Sequence, residues 1–194
     1  MRVGVLALQG DWAAHGAALA RIGAAWTPVR TAAELDAVEA LVLPGGESTT
    51  MLHLLEREGW LGRLKERLLG GMPTLATCAG VILLAEEVEP AQESLAVLRA
   101  RVIRNAYGRQ VASAVVPVRL ANGLAGPSTL EGVFIRAPKI TAVGKDVEVL
   151  GWRDEDPVLL RQGKILAATF HPEVTGDDRI QRFFLSIAEA GGEA

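Results

Sequence analysis

Along residues 1–84, short runs of consecutive apolar residues alternate with longer stretches whose apolar positions recur at helical spacing. Val3-Gly-Val-Leu-Ala-Leu8 is the first run and breaks at Gln9-Gly10-Asp11. A continuous apolar stretch of this length reads as a strand buried on both faces. Asp11 is placed to cap a helix over Trp12–Ile22 that Gly23 ends, and Trp26–Arg30 is again extended. Thr31 and Glu34 form a Thr-x-x-Glu capping box that opens a short helix. Ala40–Leu43 is a third strand, stopping at Pro44-Gly45-Gly46. Leu52, Leu55, Leu61, Leu64 and Leu68, set among charges, predict one or two helices between Ser48 and Leu69 with a break near Gly59. Thr74–Thr77 is a fourth strand, and Cys78 follows it directly.

The second half is richer in extended segments. Arg99–Ile103, Val115–Leu120, Gly132–Ile135, Ile140–Val143, Val147–Trp152, Val158–Arg161 and Ile165–Phe170 are strand candidates separated by Gly, Pro and Asp turns, with a closing helix near Asp178–Ala190. Strands alternating with helices imply a parallel sheet between helical layers, with right-handed crossovers and chemistry at the carboxyl ends of the strands. With no internal repeat, low-complexity tract or long linker, residues 1–194 are expected to form one α/β domain.

Composition narrows the function class. Of 194 residues, 49% are hydrophobic and 22% charged, enough apolar side chain for a sizeable core. A formal net charge of −3 lacks the excess of basic groups that nucleic acids or anionic membranes require, so neither is an expected partner. No apolar run approaches the roughly 20 residues of a membrane-spanning helix, and Val3–Leu8 lacks the length and cleavage pattern of a signal peptide. Cys78 is the only cysteine, which excludes an internal disulfide and suits a reducing, cytoplasmic setting.

Three segments carry candidate chemistry. Ala76-Thr77-Cys78-Ala79-Gly80 joins a strand to an apolar helical run, Val81–Leu84, with small residues around the central side chain. That pattern fits a nucleophile elbow, in which the following N–H groups stabilise a thiolate and an oxyanion; it equally fits a buried cysteine between sheet and helix. Phe170-His171-Pro172-Glu173 closes the last strand. Extended geometry before Pro172 would put His171 and Glu173 on one side, where a carboxylate could orient an imidazole; the alternative is a surface histidine in a turn. Pro44-Gly45-Gly46-Glu47-Ser48-Thr49 is at least a capped strand-to-helix turn, and its glycines would also let backbone approach a ligand. It has no following Gly-Lys-Ser/Thr, so it is not a phosphate loop. His15 and His53 fall in helices without partners at metal-ligand spacing and are assigned to surface or packing roles, so no metal site is expected.

Taken together, Leu8-Gln9-Gly10, Pro44–Thr49, Thr77–Gly80 and Phe170–Glu173 resemble the glutaminase subunits of pyridoxal 5′-phosphate synthases, a branch of the class I glutamine amidotransferases, over essentially the whole chain. Arg104-Asn105-Ala106-Tyr107-Gly108-Arg109-Gln110 and Phe134-Ile135-Arg136-Ala137-Pro138 look like stretches of this vitamin B6 branch. The resemblance implies a flavodoxin-like, three-layer α/β/α fold with a mixed, mostly parallel central sheet. It implies Cys78, His171 and Glu173 as a catalytic triad, and Gly46, Glu47, Ser48, Arg104, Ile135 and Arg136 as contacts for L-glutamine. N–H groups at Gly45, Gly46 and Ala79 would hold the oxyanion. The implied activity is glutamine hydrolysis through a cysteine thioester, with no cofactor. Ammonia would pass to a synthase subunit in a hetero-oligomer, which would also activate the glutaminase. The same triad is shared with glutaminases of other pathways, such as the imidazole glycerol phosphate branch, and a noncatalytic glutamine-binding scaffold would keep the loop without turnover. One position departs from the pattern: Ala76 stands where glycine is common in relatives, and a positive φ there would cost alanine about 1 kcal/mol or more.

Overall fold

The structure is a computed structural model and describes residues 1–106, 113–121, 124 and 126–190. The strands β1 (Arg2–Leu6), β2 (Ala25–Val29), β3 (Ala40–Leu43), β4 (Thr74–Thr77) and β12 (Ile165–Ala168) pair in parallel in the order β2-β1-β3-β4-β12. The sheet continues through β11 (Asp156–Gln162), β10 (Glu148–Arg153), β7 (Ser113–Leu120) and β8 (Thr129–Ile135), each antiparallel to its neighbour. Seven of its nine described strands therefore point the same way, β11 and β7 running opposite. A small sheet of β5 (Ala85–Glu89), β6 (Leu98–Ile103) and β9 (Lys139–Val143) packs beside it.

Alternation along the parallel strands splits the core in two, because successive side chains point to opposite faces. Val3, Val5, Ala40, Val42, Leu75 and Leu166 face a cluster containing Leu19 of α1 (Trp12–Arg21) and Ile180 and Phe184 of α6 (Arg179–Glu189). Leu6, Leu41, Leu43, Ala76, Ile165 and Ala167 face the other, with Leu35 of α2 (Ala32–Asp36), Met51 of α3 (Ser48–Arg57), Leu64 of α4 (Leu61–Leu69) and Val81 of α5 (Ala79–Leu84). Helices thus cover both faces, giving the three layers and mixed sheet expected above. A side chain as enclosed as Leu41 stabilises by roughly 1.5–3 kcal/mol through burial alone.

Local signals behaved as their chemistry requires. Asp11 caps α1 through the Ala14 N–H at 3.4 Å, and the Thr31–Glu34 capping box is complete in both directions. The helical stretch Ser48–Leu69 divides into α3 and α4 around Gly59, whose φ is 74°. Two segments differ from expectation. Ala85–Glu89, unassigned above, is a strand: Ala85 and Val88 are buried, and a register shift between Ala85 and Glu87 removes the period of two by which strands are recognised. After β12, residues Pro172–Val174 form a 3₁₀ turn instead of continuing extended.

Candidate active site

The carboxyl ends of β3, β4 and β12 converge on one cavity of about 360 Å³. Cys78 ends β4 and starts α5, with φ 46° and ψ −105°. A non-glycine residue held there is strained by roughly 1–3 kcal/mol, and such strain is retained where the surroundings enforce it. Ala76 is not the strained position. It sits inside β4, fully buried, paired with Leu43 and Ala167 in regular register, so its methyl is accommodated and no positive φ arises. The Cys78 Sγ–H donates to the Ile135 carbonyl at 3.8 Å.

His171 is held by its own N–H, which donates to the Val133 carbonyl at 2.8 Å, and by its ring, whose Nδ1 lies 2.7 Å from Glu173 Oε1. The pairing anticipated from the sequence is present, but by another route. His171 (φ −107°, ψ 84°) already leaves the extended conformation, and the 3₁₀ turn, not strand alternation, brings Glu173 back to Nδ1 of the ring. Burial would lower the His171 pKa, but Cys78 and Glu173 beside it outweigh burial and raise it from 6.5 to about 10. Burial likewise pushes Glu173 up, and the His171 hydrogen bond together with the two neighbouring imidazoles brings it net below the usual carboxylate range.

The third wall is the loop after β3. A methyl added at Gly45 would lie 2.4 Å from His171 Cε1 and 3.3 Å from Cys78 Cβ, so the backbone there touches both reactive groups. Gly46 has φ 148°, a conformation that side chains disfavour. Glu47 spends its carboxylate on capping α3, accepting from the Thr49 N–H (3.2 Å), the Thr50 N–H (2.7 Å) and the Thr50 hydroxyl (2.7 Å). Its burial raises the pKa, and these bonds lower it further than burial raises it.

Gly45, Gly46, Glu47, Ser48, Cys78, Ala79, Arg104, Ile135, Arg136 and His171 all line the cavity, and Glu173 stands behind His171. The structure therefore brings together every site residue named from the sequence. Tyr107–Gln110, part of the branch-specific stretch, lie outside the described residues. Asn105 (φ 52°) and Arg136 (φ 47°) line the cavity too, so three strained non-glycine residues, with Cys78, surround one space.

Three contributors were not identified from the sequence. Gln9 Oε1 accepts from the Glu47 N–H at 2.9 Å and braces the loop. Gln92 Oε1 accepts from Ser48 Oγ (3.0 Å), from Thr49 Oγ1 (3.2 Å) and from Arg104 Nη1, while Arg104 Nη1 also donates to Thr49 Oγ1 (3.0 Å). His15, assigned to surface or packing, is buried with Nε2 at 3.0 Å from Thr77 Oγ1 and 3.4 Å from Glu173 Oε1. Gln9 stood inside the Leu8-Gln9-Gly10 motif without an assigned role, and His15 shares the inward stripe of α1 with Ala18 and Leu19, at positions i, i+3 and i+4. His53 is exposed, as assigned.

A cysteine on a strained elbow, an imidazole–carboxylate pair and a glycine backbone wall are the groups that thiol-based acyl transfer calls for. Residues 5–190 match the SNO glutamine amidotransferase family. The chain belongs to that family. Within it, the chain is 48% identical over 190 residues to the pyridoxal 5′-phosphate synthase subunit PdxT of Thermotoga petrophila, covering 97% of this chain and 100% of the relative. It is 50% identical to the subunit of the same name from Koribacter versatilis, covering 98% and 97%. A crystal structure of a glutamine amidotransferase superposes with a TM-score of 0.89 at 46% identity, covering 96% of this chain and 98% of that one. The fold of this SNO-family chain is thus that of a glutamine amidotransferase. Among the described residues, no helix is long and apolar enough to cross a membrane.

Proposed function

We propose that this chain is the glutaminase subunit of a pyridoxal 5′-phosphate synthase: it hydrolyses L-glutamine to L-glutamate and ammonia and delivers the ammonia to a synthase subunit. The observation that carries the reading is the convergence of Cys78, the His171–Glu173 pair and the Gly45 backbone on one cavity, in a chain of full-length similarity to pyridoxal 5′-phosphate synthase subunits.

The chemistry follows from the positions. His171 is protonated at neutral pH, and the reacting form of Cys78 is the thiolate, the nucleophilic state of a thiol. The sulfur attacks the carboxamide carbon, and N–H groups of Gly45–Gly46 and Ala79 hold the oxyanion. Collapse of the tetrahedral intermediate breaks the C–N bond as His171 donates its proton to the departing nitrogen, leaving a glutamyl thioester and ammonia. His171, held in orientation by Glu173, then removes a proton from water, which attacks the thioester and releases glutamate. The guanidinium of Arg104, steadied by Gln92 and Thr49, and that of Arg136 suit the α-carboxylate of the substrate, with Glu47, Ser48 and Ile135 completing its surroundings.

Free ammonia becomes mostly ammonium in neutral water and loses its nucleophilicity, so direct transfer within a hetero-oligomer is the economical arrangement. The single cysteine suits a reducing cytoplasm. The test is glutamate release by the wild type and by Cys78→Ala, each with and without a pyridoxal 5′-phosphate synthase subunit. Turnover stimulated by the synthase and abolished in Cys78→Ala is the expected result. Turnover indifferent to the synthase would point to another pathway, and binding without turnover to a scaffold.

A further inference from the structure

Of the three histidines, His171 belongs to the proposed triad and His53 is exposed, which leaves the buried His15 without a role. Its place follows from α1, which starts directly after the Gln9-Gly10 turn and presents His15, Gly16, Ala18 and Leu19 inward. A polar ring on that stripe, 1% exposed, needs partners, since an unpaired buried polar group costs about 1–3 kcal/mol. Both partners belong to the active site. Thr77, at 3.0 Å from His15 Nε2, is the fully buried residue preceding the nucleophile. Glu173 Oε1, at 3.4 Å from the same nitrogen, is the oxygen that also faces His171 Nδ1 at 2.7 Å.

One carboxylate oxygen therefore lies between two imidazole nitrogens, while the other, Oε2, is buried with no hydrogen-bond partner among the described residues. With Oε2 unpartnered, the side-chain contacts of the carboxylate are concentrated at Oε1. An ionised carboxylate only accepts hydrogen bonds, so a ring nitrogen facing it carries a proton. A proton-bearing His15 Nε2 lies at hydrogen-bond distance from Thr77 Oγ1, 3.0 Å, and within electrostatic reach of Glu173 Oε1 at 3.4 Å. Burial lowers the His15 pKa, with Glu173 opposing and His171 adding to the decrease, which favours the neutral ring.

We propose that His15 is a positioning residue for the glutaminase reaction: through Nε2–H it fixes the Glu173 carboxylate that orients His171 and ties that carboxylate to Thr77, at the strand end presenting Cys78. The inference rests on the glutaminase reading above. It differs from a packing role in a checkable way, because a packing residue is replaceable by any side chain of similar bulk, whereas a positioning donor is replaceable only by another N–H at the same reach.

The experiment compares His15→Leu, which fills the space without a donor, with His15→Gln, whose amide N–H reaches about as far as imidazole Nε2. Each is assembled with the synthase subunit and its melting temperature is checked. In His15→Leu, kcat for glutamate release should fall about 10- to 100-fold, the scale on which outer partners of reacting groups act. KM for glutamine should hold, and His15→Gln should recover most of kcat. The downfield proton NMR resonance of the His171 Nδ1–H on Glu173 should shift in His15→Leu and return in His15→Gln. Should His15→Leu fail to fold, His15→Asn, whose amide is too short, takes its place. Equal kcat in the two variants together with an unmoved resonance would overturn the proposal. If the wild type itself does not turn over, the glutaminase reading fails, while the resonance still decides whether His15 positions Glu173.

Discussion

The two ends of the parallel strands hold cavities of very different character. Where β1, β3, β4 and β12 begin, Met1, Glu39, Pro73 and Lys164 border a groove of about 940 Å³. Where β3, β4 and β12 end, Gly45, Cys78 and His171 border one of about 360 Å³. The larger groove is lined by ordinary polar contacts: Arg63 pairs with Asp36 (2.9 Å) and Glu66 (2.7 Å), and Arg67 donates to the Val38 carbonyl (2.7 Å). It contains no non-glycine residue of positive φ. The smaller one gathers three such residues, a buried imidazole–carboxylate pair and the lone thiol. Chemical capacity follows the strained backbone gathered at the carboxyl ends of the strands, not the volume available.

The contrast is broken most severely at Glu173. Glu173→Gln should reduce kcat for glutamate release by roughly 10³- to 10⁴-fold, since the imidazole loses both orientation and its stabilising charge. The pH dependence has a definite sign. The His171 pKa is raised from 6.5 to about 10, so the stabilisation from its protonated form is complete below pH 6.5 and is lost as pH rises through about 10. Urea unfolding of the wild type should show stability declining over that window, with a shallower decline in Glu173→Gln.

Next in size is Gly45→Ala. The added methyl would overlap His171 Cε1, and displacing the ring by about 1 Å should cost about 10²-fold in kcat while the fold persists. Gln92→Ala should instead raise KM for glutamine about 10-fold with little change in kcat, as Arg104 loses the acceptor that holds it. At the other end of the strands, Arg63→Ala should leave kcat and KM within about twofold in the same assay, because its ion pairs are exposed. A large loss there would dissolve the distinction between the two ends.

The site was legible where chemistry is local in sequence. Cys78 between small residues, His171 two positions from Glu173, and the 44–49 turn each announce themselves within six residues, and the strands leading to them are continuous apolar runs. What escaped depends on contacts between distant segments. Gln92 reaches Ser48, Thr49 and Arg104 across 44, 43 and 12 positions, and His15 meets Thr77 across 62. No periodicity encodes such pairings. The 3₁₀ turn at Pro172–Val174 reached the anticipated contact by an unanticipated backbone, because an i, i+2 approach is open to a tight turn as well as to a strand. Ala76 shows the converse: the strain belonging to the elbow falls on Cys78 itself, two residues further on, so the alanine costs nothing there.

The most direct test of the proposed role follows the nitrogen. The complex of this chain with a pyridoxal 5′-phosphate synthase subunit is supplied with glutamine labelled with ¹⁵N at the side-chain amide, the carbon substrates of the synthase and unlabelled ammonium, and the product is examined by mass spectrometry. The expected result is pyridoxal 5′-phosphate carrying the amide ¹⁵N, lost when Cys78→Ala replaces the wild type. Product that draws its nitrogen only from the ammonium, with glutamine left intact, would contradict it.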